Sequence, residues 1–172
     1  MTIKAVGEAH FDVETDVLVV GAGAAGLVAA LSARELGADV IVLERDPVAR
    51  GSTALSSGLL PAAGTRLQRE AGVLDSAALL AADIQKKCGG LADVVLVDAL
   101  ASVIGPTIDW LSDSHKVPFV LVDGFTYPGH SVRRMHGPPR RTGQELMDHL
   151  YRSAVESGAE VLTSAMVDAL YC

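Results

Sequence analysis

A chain of 172 residues is long enough to bury one sizeable core and too short for two complete domains. Hydrophobic residues at 49% beside 20% charged residues exclude a disordered polar chain. Fourteen Lys+Arg against 21 Asp+Glu, a net charge of -7, exclude a general attraction to nucleic acid or anionic lipid and leave small-molecule chemistry as the default.

Asp16 to Val20 (Asp-Val-Leu-Val-Val) is a β-branched run ended by glycine, which predicts a buried parallel strand. Ala24 to Leu36 predicts a helix, with Leu27, Ala30 and Leu31 on one side and Gly37 as its stop. Asp39 to Leu43 predicts a second strand, and this β-α-β order implies a right-handed crossover within a parallel sheet. Val17 to Ala33 is the longest uncharged run. It contains Gly21, Gly23 and Gly26, falls short of the roughly 20 residues of a membrane span, and follows Glu8, Asp12, Glu14 and Asp16 where a leader peptide would be positive. No targeting or spanning segment is therefore expected.

Asp46 to Thr65, rich in Gly, Ser, Pro and Ala, predicts an ordered loop without a regular period. Ser76 to Cys88 predicts a helix closed by Gly89-Gly90, and Ala92 to Leu111 another that Gly105-Pro106 should kink or divide. Val117 to Val122 predicts a strand, inside or outside the main sheet. Asp123 to Arg141 has too many turn residues for a regular element and reads as a functional loop. Thr142 and Glu145 have capping-box spacing and start a helix to about Ser157, with Gly158 as stop, before a third strand from Glu160 to Thr163. Trp110 falls in an apolar helical pattern and reads as core, whereas His10, His115 and His149 read as surface residues. Cys88 and Cys172 show neither metal-ligand spacing nor a disulfide framework. They read as ordinary thiols in a reducing cytoplasm, and no metal site is expected.

The chemistry concentrates at Gly21-Ala22-Gly23-Ala24-Ala25-Gly26, between the first strand and the first helix. The first glycine permits the tight turn, the second lets backbone approach a diphosphate, and the third allows close packing of helix on sheet. Unpaired N–H groups and the partial positive charge of the helix start then hold the diphosphate without a basic side chain. Glu44, at the end of the second strand, stands where a carboxylate accepts hydrogen bonds from ribose hydroxyls and repels a 2′-phosphate, an exclusion that adjacent Arg45 weakens only slightly. These residues point to a dinucleotide site and do not by themselves separate FAD from NAD.

Asp46-Pro47-Val48-Ala49-Arg50-Gly51-Ser52-Thr53-Ala54-Leu55-Ser56-Ser57-Gly58-Leu59 resembles the segment after the second strand in the fumarate reductase and succinate dehydrogenase flavoprotein family. In that family the segment lines flavin and diphosphate, and Gly51, Ser52, Thr53, Ser57 and Gly58 match by position, with Arg50 and Leu59 each in place of a glycine. Ser52 stands where respiratory members carry the histidine bonded to FAD, so the resemblance implies noncovalent flavin. Gly129-His130-Ser131-Val132-Arg133-Arg134-Met135-His136 with Arg141-Thr142-Gly143 is similar to a second stretch of the family, shared with L-aspartate oxidase, although the spacing to Thr142 departs from the aspartate oxidase pattern. It implies that His130, Ser131, Arg134 and His136 lie near flavin or substrate. Arg133, Arg134, Arg140, Arg141, His130 and His136 gather positive charge that suits a dicarboxylate or reduced flavin, or else form a solvated loop paired with surface carboxylates.

The expectation is an α/β, Rossmann-like FAD-binding domain with a parallel sheet, apparently truncated. Residues 1–172 would form a partial domain, with the family's capping domain, its proton-donating arginine and its closing FAD segment outside this chain. The implied reaction moves hydride between flavin N5 and a carbon next to a carboxylate or ketone of a small-molecule substrate, with little turnover by the isolated chain. The catalytic residues are not identified. A noncatalytic dinucleotide-binding module or subunit is the alternative, and an NAD-binding dehydrogenase is disfavoured because no helix follows Glu44. An incomplete sheet would leave an unpaired edge that favours association.

Overall fold

A computed structural model describes residues 2–7 and 10–172, so Glu8 of the acidic N-terminal flank lies outside the described residues. In chain order the elements are β1 (Thr2–Lys4), β2 (Val17–Val20), α1 (Ala24–Glu35), β3 (Val40–Leu43), a 3-10 turn (Thr53–Leu55), β4 (Leu60–Pro61) and α2 (Arg66–Glu70). There follow α3 (Ala77–Lys87), α4 (Val94–Asp113), β5 (Val120–Leu121), β6 (Met135–Gly137), α5 (Gly143–Glu156), β7 (Glu160–Leu162) and β8 (Ala169–Tyr171). They divide into two units, Met1–Leu55 with Met147–Cys172, and Ser56–Leu146.

The first unit holds the predicted crossover. Its sheet has the order β2-β3-β7 with both pairs parallel, Val17 opposite Val40 and Ile41 opposite Glu160. Leu27, Ala30 and Leu31 of α1 and Val40 and Val42 of β3 are buried, as the apolar spacing requires. Gly37 ends α1 at a φ of 83°, a left-handed value that a side chain would oppose. The expectation of a buried first strand is corrected, because β2 is an edge strand and alternate residues Leu18 and Val20 are exposed. A two-stranded parallel sheet, β1 with β8, has no counterpart in the sequence reading. It pairs Thr2 with Ala169 and Lys4 with Tyr171, and Phe11 packs edge-on to the Tyr171 ring at 5.7 Å.

The second unit carries an antiparallel sheet of order β4-β6-β5, so Val120–Leu121 lies outside the main parallel sheet and is shorter than expected. Its central strand, β6, falls inside the segment read as a loop. Helix α2 was also missed, although Thr65 and Gln68 form a capping box: the Gln68 N–H donates to Thr65 Oγ1 at 3.1 Å and the Thr65 N–H to Gln68 Oε1 at 3.2 Å. Helices α3 and α4 pack together, with Leu80 and Ala101 buried against Ala63.

Gly105-Pro106 does not divide α4, which runs unbroken past both residues. Proline removes one helix hydrogen bond there, while a Cβ at Gly105 would stand 2.0 Å from the Ala63 carbonyl oxygen, so glycine permits close backbone approach. The run weighed as a span, Val17 to Ala33, folds as β2, the glycine loop and most of α1. By length and mean hydropathy of 1.6, α4 does pass for a crossing helix. It buries Val97, Ala101, Ile108 and Leu111 in a single stripe and leaves Val94, Val95, Leu96, Leu100 and Val103 exposed.

At the start of α5 the Glu145 N–H donates to Thr142 Oγ1 at 3.2 Å, but the Glu145 carboxylate accepts the Arg140 N–H at 2.8 Å. Thr142 therefore caps the helix, and the Glu145 carboxylate also holds the preceding loop. His115 is half-buried, edge-on to Trp110 with ring centroids 4.6 Å apart, rather than a surface residue.

Candidate functional site

Gly21, the first residue after β2, turns the chain at a φ of 101°, and its N–H donates to the Leu43 carbonyl of β3 at 2.8 Å. Helix α1 starts at once behind Gly23, whose position has no side-chain cap, and its first turn contains no acidic residue. Gly23 therefore leaves amides of the positive helix end open to an outside acceptor. A Cβ at Gly23 would meet nothing within 4 Å, so the missing side chain keeps that approach clear. Gly26 is different. A Cβ there would stand 1.9 Å from the Gly21 carbonyl oxygen and 3.2 Å from Val19 Cγ1, so the seat of α1 on loop and strand needs glycine. Ala22 is fully buried, whereas Ala25 is exposed.

The segment after β3 closes on this loop. A Cβ at Gly51 would contact Gly23 Cα at 3.5 Å, and the Ala24 N–H donates to Thr53 Oγ1 at 3.4 Å, a long bond to one of the free amides of the helix start. Ser52 is exposed beside them. The result is a cavity of about 470 Å³ walled by Gly21, Gly23, Glu44, Arg45, Gly51 and Met166, among others.

Glu44 is 8% exposed and lines the cavity with its carboxylate already engaged: Oε2 accepts the Ala22 N–H at 2.8 Å and Oε1 the Asp46 N–H at 2.9 Å. Each oxygen keeps a further lone pair for a ribose hydroxyl. Arg45 is exposed and pairs with Asp46 at 3.3 Å. Ala165, Met166 and Val167 complete the wall, held by bonds from the Ala165 N–H to Glu44 O and from the Ser164 N–H to Asp46 O. The sequence reading missed this last wall. Its signal, a turn directly after the third strand, is weak until the parallel register is known.

The second unit brings together the other residues singled out from the sequence. Gly58 has a φ of 64°, and a Cβ on it would lie 2.6 Å from the Thr142 carbonyl oxygen; one on Gly137 would lie 3.1 Å from Gly58 O. Backbone at residue 58 thus packs closely on backbone at 142 and 137, with the Leu59 side chain 2.6 Å from where a Cβ on Gly137 would stand, while Ser57 is exposed. His130 and Ser131 line a separate cavity of about 470 Å³ with Asp83, Lys86 and Lys87. Burial pushes the His130 imidazole below its ordinary pKa, and the nearby charges of Arg134 and Lys87 act the same way.

Arg134 is fully buried and forms a network: Nε and Nη2 donate to Asp75 at 3.0 and 2.8 Å, and Nη1 donates to Asp83. Gln68 Nε2 donates to Asp75 and to Arg133 O. Burial alone would raise the Asp83 pKa, but the Ser131 hydroxyl and N–H, then Arg134, outweigh it and hold the carboxyl below its ordinary value. His136 is fully buried as well. A carbonyl can only accept, so Nδ1 donates to Arg134 O at 2.9 Å and Nε2 accepts the Thr65 hydroxyl at 2.8 Å. Burial favours this neutral ring and lowers its pKa. The resemblance implies a flavin- or substrate-proximal role for Arg134 and His136, and the structure finds every side-chain nitrogen of both hydrogen-bonded inside this unit. Arg133 pairs with Asp123 and Arg140 with Glu145, so the basic cluster is largely neutralised residue by residue.

Residues 16–172 match the FAD binding domain family. The chain is 34% identical over 148 residues to the fumarate reductase (cytochrome) of Shewanella frigidimarina, covering 85% of this chain and 25% of the relative. Among solved structures, a flavocytochrome c3 fumarate reductase in its open conformation superposes with a TM-score of 0.77 at 34% identity, covering 87% of this chain and 26% of the other. The 3-ketosteroid-Δ4-(5α)-dehydrogenase of Rhodococcus jostii RHA1 superposes with a TM-score of 0.79 at 28% identity, covering 95% of this chain and 40% of the other. The chain spans about a quarter of the length of the curated fumarate reductase it matches. A parallel β-α-β unit, an uncapped helix start in a glycine-walled cavity and these matches have one reading: the chain belongs to the FAD binding domain family and FAD is its cofactor.

Proposed function

We propose that this chain is the FAD-holding portion of a flavin-dependent oxidoreductase that transfers hydride between flavin N5 and a carbon next to a carboxylate or ketone. The substrate class is fumarate- or succinate-like, or ketosteroid-like. The observation that carries the reading is the cavity of about 470 Å³, where an uncapped helix start, three glycines and a buried carboxylate converge. Those are the donors, the clearance and the acceptor that the diphosphate and ribose of an adenine dinucleotide require. FAD supplies the hydride chemistry when bound. The residues of this chain do the holding: the N–H groups of Gly23, Ala25 and Gly26 meet the diphosphate, Glu44 takes ribose hydroxyls, and Thr53, bonded to the Ala24 N–H, closes with Gly51 over the loop. Ser52 offers no imidazole for a covalent link, which supports noncovalent flavin.

Similarity to a fumarate reductase and a ketosteroid dehydrogenase supports the substrate class. Since the chain spans 25% of that fumarate reductase, residues 1–172 are read as a partial FAD-binding domain, with the capping domain and closing FAD segment in the remainder of the enzyme. Substrate positioning and general acid catalysis each supply orders of magnitude in rate, so the chain by itself holds flavin with little or no turnover. The two free, exposed thiols suit a reducing cytoplasm.

The test is calorimetric titration of the purified chain with FAD, ADP and FMN. Saturable uptake of FAD and ADP without FMN is expected, with flavin released intact by acid precipitation; uptake of neither FAD nor ADP refutes the reading. Fumarate with a reduced dye then probes catalysis, and robust turnover would show that the active site is complete.

A further inference from the structure

We infer that Glu44 is a positioning residue as well as a nucleotide contact: its carboxylate fastens the glycine loop to the turn after β3, so the diphosphate cradle is formed before any cofactor arrives. The inference rests on the FAD-site reading only for what the cradle is formed to receive.

Residue 44 is joined to each wall of the cavity. Its side chain accepts the Ala22 N–H of the glycine loop at 2.8 Å and the Asp46 N–H of the following turn at 2.9 Å. Its own N–H donates to Leu162 O at 2.8 Å and its carbonyl accepts the Ala165 N–H at 2.8 Å, which holds the third wall. Elsewhere the loop is tied by the Gly21 N–H to Leu43 O at 2.8 Å and the Ala24 N–H to Thr53 Oγ1 at 3.4 Å, neither of which holds the Ala22 amide between them. Gly21 and Gly23 carry no side chains to pack, and glycine loses more conformational freedom on ordering than any other residue. The Ala22 amide belongs to a fully buried residue, so leaving it without an acceptor carries a desolvation penalty. A carboxylate meets that need twice, because it accepts at both oxygens and its charge strengthens both bonds.

The same chemistry separates the two roles. Glutamine has nearly the size of glutamate and still hydrogen-bonds ribose hydroxyls, accepting at one atom and donating at the other. Facing two N–H groups, however, it must set its NH₂ against one of them. A residue that only contacts ribose tolerates this exchange in the ligand-free protein, whereas a clamp does not.

Amide hydrogen exchange on the ligand-free chain, wild type against Glu44→Gln, is the deciding experiment. The expected result is exchange faster by about tenfold at Ala22 or Asp46, with protection of Leu27, Leu31 and Val42 unchanged, in keeping with the loss of one charge-assisted bond. Unchanged exchange at both amides, alongside weaker FAD binding, overturns the inference and leaves Glu44 as a ribose ligand. If core protection is lost too, Glu44→Asp carries the test. It keeps the charge but is one methylene short, so release of one amide is expected and continued protection of both overturns the inference. A wild-type chain that fails to take up FAD refutes the functional reading and leaves the exchange comparison intact.

Discussion

Gly26→Ala measures how tightly α1 is seated on the loop and strand that precede it. The new Cβ would lie 1.9 Å from the Gly21 carbonyl oxygen and 3.1 Å from its carbon, against an ordinary contact of 3.4–4 Å, so main chain must retreat by more than an ångström. Overpacking of this kind costs about 1–3 kcal/mol, and a clash with backbone belongs at the upper end. Alanine recovers up to about 1 kcal/mol through its better helix propensity. The net loss is then about 2 kcal/mol, or a fall in Tm of roughly 4–8 °C for a chain of this size. Gly23→Ala is the matched control, because its Cβ meets nothing within 4 Å and its φ of -77° suits any residue. Its stability should change by no more than about 1 kcal/mol, the scale of an N-cap preference, while FAD affinity falls because the methyl enters the diphosphate's approach. Circular dichroism melts of both ligand-free variants, followed by FAD titration, provide the readout. A wild-type Tm for Gly26→Ala, or wild-type FAD affinity for Gly23→Ala, would refute this account of the glycines.

Arg134→Met should destabilise the second unit by about 3–5 kcal/mol in urea unfolding, since it strands the Asp75 and Asp83 carboxylates in the interior; a loss under about 1 kcal/mol would show that the network is dispensable. Arg134→Lys should rescue little of it, because one ammonium cannot replace a fork bonded to two carboxylates. Stability should also fall in acid in two steps. Burial holds His136 below the ordinary 6.5, so the unfolded chain takes the proton first: stability is intact above that value and declines as pH drops through it. Asp83, whose burial is outweighed by bonds from Ser131 and Arg134, lies below the ordinary 3.8, and a further loss sets in as pH falls through the carboxylate range. Urea midpoints that stay flat from about pH 8 to pH 3 would contradict both assignments.

The β-α-β unit was legible because its signals are local. Glycines 21, 23 and 26 punctuate the passage from strand to helix, and the apolar positions of α1 keep its period. The pairing of β1 with β8 joins residues 167 apart in the chain, and nothing in either tripeptide announces the other. Arg134 and His136 looked like part of an exposed basic patch because the partners that bury them, Asp75, Asp83 and Thr65, sit some 50 to 70 positions earlier in sequence. Turn-rich composition hid β6, and α2 is only five residues long, too short to show a helical period, although the Thr65 and Gln68 pair was there to be read. At Gly105-Pro106 the proline signal was weighed above the glycine's steric role, which becomes visible only once Ala63 is beside it. In the cavity, Glu44 was found by its distance from the glycines, whereas its bonds to Ala22 and Asp46 depend on loop geometry that spacing does not encode.

The shared guanidinium of Arg134 also sets how the second unit comes apart. Residue 134 leads directly into β6, while its carboxylate partners precede α3 and lie within it. The strand cannot fray from the sheet without tearing a charge away from the helix, nor can the helix slip without abandoning the strand. Opening is therefore concerted, and slow-exchanging amides of α3 and β6 should report one common free energy rather than a gradient along the chain.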